Sequence, residues 1–113
     1  MLRAMPYDEG LAERVRELLE ERPDLTERKM FGGIGFMLGG NMCCGVLGDE
    51  LVVRLAAEDG EAALAEPHVR PFDFTGRPMK GFVLVGPAVT ETDEGLDAWV
   101  ARAESFASSL PPK

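Results

Sequence analysis

Between Lys29 and Leu55 the chain reads KMFGGIGFMLGGNMCCGVLGDELVVRL, and its apolar residues recur every second position. Ile34, Phe36 and Leu38 share one face of an extended segment; so do Met42, Cys44 and Val46, and then Leu51, Val53 and Leu55. A period of two specifies strands and excludes helix. Gly39-Gly40 and Gly48-Asp49 separate the runs, and two-residue glycine turns join strands antiparallel. The stretch therefore predicts a three-stranded meander. A fourth strand is expected at 28–31, set off by a break or bulge at Gly32-Gly33. Simple alternation places Cys43, Gly45 and Leu47 on the face opposite Met42, Cys44 and Val46.

The flanks read differently. Leu11, Val15, Leu18 and Leu19 recur at helical spacing, with Asp8 as N-cap and Pro23 as stop. Residues 57–65 read as a short acidic helix weakened by Gly60. Three prolines and two glycines make 66–81 a long ordered loop or a poor edge strand around Phe72-Asp73-Phe74. GFVLV at 81–85 is a strand buried on both faces or placed centrally in the sheet. After Thr92, the residues Leu96, Trp99, Val100, Ala103, Phe106, Ala107 and Leu110 trace one stripe of a terminal helix. The fold class is α+β: two layers, with an antiparallel sheet of four to six strands flanked by N- and C-terminal helices. With 113 residues the chain reads as one domain, with 1–6 as a flexible extension.

The net charge of −8 is unevenly spread. The helical segments 1–27, 58–66 and 91–113 carry −4, −4 and −3, whereas 28–57 and 67–90 carry +1 and +2. An acidic whole disfavours direct nucleic-acid binding, which depends on Lys and Arg neutralising phosphates. No apolar run of about 18 residues or secretory leader is present, so a cytoplasmic protein without membrane association is expected.

The glycines match neither a P-loop nor a dinucleotide fingerprint: Leu38 stands where a third glycine belongs, and a strand follows where a helix is needed. Adjacent strand residues point apart, so Cys43 and Cys44 are read as one buried and one partly exposed thiol. Neither a metal site nor a cofactor is expected from them, and no catalytic residue is assigned. They remain candidate redox-sensitive thiols. The methionines fill core gaps or form a soft partner surface. The most suggestive cluster is basic. Arg70, Arg77 and Lys80 lie in a proline-bracketed loop, and with Arg54 they form a candidate anion or partner site.

ERKMFGGIGFML (27–38), NMCCGV (41–46), RPFDFTGRPMKGFV (70–83) and LDAWVARAESFASSLP (96–111) resemble the TfoX (Sxy) N-terminal-domain family. Its best-known members are bacterial regulators of competence for DNA uptake, with a helical C-terminal domain after this one. The resemblance implies an α+β fold and a single-domain member lacking that second domain. It carries no catalytic residues. Two functions follow: a non-enzymatic regulatory domain that binds a protein partner or itself as a homodimer, or a small-anion or metabolite-binding domain, with or without enzyme activity, using the basic loop.

Overall fold

The structure, a computed structural model, describes residues 7–73, 76 and 79–113. Helix α1 spans Glu9–Leu19, and the Asp8 carboxylate accepts the Leu11 N–H at its start. Four strands follow through tight turns: β1 (Leu25–Met30), β2 (Gly33–Leu38), β3 (Asn41–Leu47) and β4 (Glu50–Arg54). Helix α2 (Ala57–Ala63) leads to β5 (Val69–Pro71) and β6 (Phe82–Val85). A four-residue helix α3 (Pro87–Thr90) precedes α4 (Asp93–Ser108), whose N-cap Thr92 accepts the Gly95 N–H.

All strand pairs are antiparallel, in the order β1-β2-β3-β4-β6-β5. The sheet thus has six strands and helices on one face, the expected α+β class. The edge strand in the 66–81 segment lies at 69–71 rather than at Phe72-Asp73-Phe74; Phe74 lies outside the described residues. Strand β6 sits between β4 and β5, so its apolar run is buried on both sides as expected.

The first turn falls one residue earlier than the glycine pair suggests. Met30 pairs with Gly33, so the loop is Phe31-Gly32, with φ of +42° and +80°. Two successive positive φ values define the mirror-image turn that suits hairpins. Gly33 is needed inside the strand, because a Cβ there would run into the Val46 carbonyl. Gly60, which sequence alone reads as a weak point in α2, has a packing role. A Cβ would come 2.6 Å from the Gly81 Cα, so glycine lets the helix approach the sheet.

Two apolar clusters lie on opposite faces of the sheet. The larger joins Phe36, Val46, Leu51, Val53, Val83 and Val85 to Val15 and Leu19 of α1 and to Leu96, Trp99 and Ala103 of α4. Trp99 is thus packed on the sheet, as the stripe of α4 predicts. The smaller cluster, Met37, Met42, Val52, Phe72 and Leu84, contains no helical residue among the described residues.

Candidate functional site

The second face of the sheet holds a groove of about 300 Å³ lined by Met30, Phe31, Met42, Phe72, Met79 and Phe82. Among the described residues, every lining side chain is a thioether or a phenyl ring. Its floor is made by glycine. Gly35 and Gly45 face one another across β2 and β3. A Cβ on Gly35 would fall on the Met30 Sδ and lie 3.3 Å from the Met42 Sδ. A Cβ on Gly45 would lie 3.1 Å from the Phe31 ring. Removing two side chains from the pleat lets Met30, Met42 and Phe31 lie flat against the backbone.

Phe31 reaches the groove from an uncommon backbone. A positive φ is ordinary for Gly or Asn but costs a bulky residue on the order of 1 kcal/mol or more. Its ring meets Phe72 edge-on at 5.6 Å and 73°, and Phe72 lies 6.0 Å from Phe82. Phe72 is buried, whereas Met79 is 40% exposed at the mouth. The loop is closed beneath them by the Met79 N–H donating to the Phe72 carbonyl at 3.0 Å.

Met42 enters this face through an irregularity that strict alternation misses. Phe36 pairs with Cys44, but Met37 pairs with Met42, so Cys43 is an extra residue in β3. Such a β-bulge reverses the pleat locally. Cys43 and Cys44 therefore both join the helix-side cluster, both fully buried, and Met42 turns to the other side. This corrects the expectation of one buried and one exposed thiol. The Cys44 thiol is held protonated, first by its hydrogen bond with Cys43 and then by burial. Oxidants attack an accessible thiolate, and burial of both thiols restricts that access.

The basic residues are used in different ways. Arg70 forms a two-pronged pair with Glu50, at 2.9 Å from Nε and 2.5 Å from Nη2, which raises its pKa. The Arg54 guanidinium carbon lies 5.6 Å from the Phe82 ring and 5.5 Å from the Phe106 ring. Lys80 is exposed and makes no ion pair with the described residues. Arg77 lies outside the described residues. Two of the four are thus engaged by neighbours in the fold. No group of three or more His, Cys, Asp or Glu suited to a metal occurs among the described residues.

The sequence matches the model of the TfoX N-terminal domain over residues 17–107. The chain belongs to the TfoX N-terminal domain family. No curated protein matches it. The matched span of the TfoX domain runs from within α1 to near the end of α4, and so contains all six strands and all six groove residues. By family this is a competence-regulator-like domain. Among the described residues, no helix is long and apolar enough to cross a membrane.

Proposed function

We propose that this TfoX domain is a non-enzymatic protein-interaction module that docks its partner in the Met/Phe groove. One observation carries the reading: an apolar groove on the sheet face whose cluster, among the described residues, contains no helical residue. Thioether and phenyl groups neither donate nor take up protons, so such a groove works by burial rather than by chemistry. Methionine suits it further, because its unbranched, polarisable side chain adapts to a partner's shape. The domain acts on regulation through that partner rather than by gripping DNA itself.

The test is site-specific photocrosslinking in the cell of origin. A crosslinker at Met79, at the mouth of the groove, should give a discrete protein adduct. The same group at Glu94, on the exposed first turn of α4, should not. Equal yields at both positions, or none at Met79, would refute groove docking. An adduct with the chain itself identifies the partner as a second copy.

A further inference from the structure

The cations of the chain fall into paired and unpaired sets. Arg14, Arg16, Arg22, Arg70 and Arg102 each pair with a carboxylate. Arg28, Lys29, Arg54, Lys80 and Lys113 have no ion pair among the described residues, in a chain holding 20 acidic residues to 12 basic ones; Lys29 pairs in register with Ile34 on the helix side, which leaves Arg28, Arg54 and Lys80 beside the groove. Each of the three adjoins a groove wall. Arg28 pairs in register with Gly35, and so rises on the same face as Met30 two residues on. Arg54 lies over the Phe82 ring. Lys80 follows Met79 in the chain. Glu50, Asp73 and Asp49 act on Arg70 at the β5 edge of this sheet. Glu50 is occupied by Arg70, and Asp73 follows Phe72 as an exposed residue. The acidic excess lies instead on α1, α2 and α4, whose packed residues join the other cluster.

We infer, resting on the docking reading above, that the groove takes an acidic amphipathic segment of a partner protein. Its apolar side chains fill the space between Met30, Phe31, Met79 and Phe82, and its carboxylates meet Arg28, Arg54 and Lys80. Arg54 suits this role. Its guanidinium carbon lies within 5.6 Å of two ring centroids, and a planar guanidinium can grip a carboxylate with two hydrogen bonds. A single-stranded nucleic acid fits less well. The rings of Phe31, Phe72 and Phe82 pack against one another rather than offering separate stacking platforms, and three cations track little backbone.

Three 15-residue helical peptides test the inference. They share a leucine stripe at i, i+3, i+4 and i+7, and carry Glu, Gln or Lys on its flanks. The methyl NMR signals of Met30, Met42 and Met79 report occupancy. The Glu peptide should shift all three and bind roughly tenfold or more tighter than the Lys peptide at low salt, the gap closing as screening rises. The double variant Arg28→Glu, Lys80→Glu should reverse that preference. Equal binding of all three peptides overturns the acidic partner while leaving the docking groove intact. No methyl shift with any peptide overturns both. Shifts with oligothymidylate but with no peptide assign the groove to nucleic acid and end the proposal.

Discussion

The two faces of one sheet are built from different chemistry. The helix-covered face is made largely of branched aliphatics, with Phe36, Val46, Leu51, Val53 and Val85 wholly enclosed. The other presents Met30, Phe31, Met42, Met79 and Phe82 over a glycine floor. Branched side chains have few rotamers and lose little entropy on packing; methionine keeps three rotatable bonds. One face is suited to holding the fold together and the other to changing its contacts. A six-stranded sheet with one helical layer can thus separate stability from recognition across the thickness of a single strand.

The thiols give the largest expected contrast. Both cysteines lie on the rigid face, so both should react with a thiol reagent about a thousandfold or more slower in the native protein than in urea. Fast labelling of either would break the assignment of the bulge. Next in size is Trp99→Ala, expected to cost about 3–5 kcal/mol in urea unfolding. Met42→Ala on the soft face should cost less, nearer ~2 kcal/mol. If the two match, the faces do not differ in rigidity.

The glycine floor divides in the same way. Gly45→Ala would put its Cβ 2.5 Å from the Ile34 carbonyl oxygen, a backbone atom that cannot turn aside. It should cost about 1–3 kcal/mol. Gly35→Ala meets the Met30 thioether, which can swing away, so its cost should fall below ~1 kcal/mol while the Met30 methyl signal moves. Equal destabilisation would show that the thioether is as fixed as the backbone.

The smallest effect lies at the sheet edge, on the helix side. Arg16 bonds Glu27 through Nε and Nη2, at 2.5 and 2.8 Å, and holds that carboxyl below its ordinary pKa. The contribution is present in full above the unfolded value of about 4.3 and fades as pH falls toward the lower folded value. Both side chains are about a third exposed, so Glu27→Gln should remove only about 0–1 kcal/mol of acid-side pH dependence. A larger change would make this pair a structural tie.

Much of the architecture is legible in the residues. The period of two, the Gly-Gly and Gly-Asp turns, the caps at Asp8 and Thr92 and the stripe through Trp99 are local signals, and each specifies its element without help from distant contacts. The groove is not legible in this way. Its residues come from 30–31, 42, 72, 79 and 82, and a methionine pattern looks the same whether it lines a core or a surface. Spacing about a turn at 39–40 would set Gly35 opposite Cys44, and only the extra residue at Cys43 brings Gly45 to face it.

Charge and much of the turn chemistry were set by the sequence alone: an acidic helical layer, a mildly basic sheet and the hairpin connections at 39–40 and 48–49. Side-chain direction was settled only in three dimensions. The extra residue at Cys43 reverses the pleat, sends both thiols to the core and delivers Met42 to the groove. A bulge depends on how two strands register, which neither strand encodes by itself. The same holds for Arg54 and Arg70. Sequence makes them cations, but only packing decides that one meets Glu50 and the other lies between two rings.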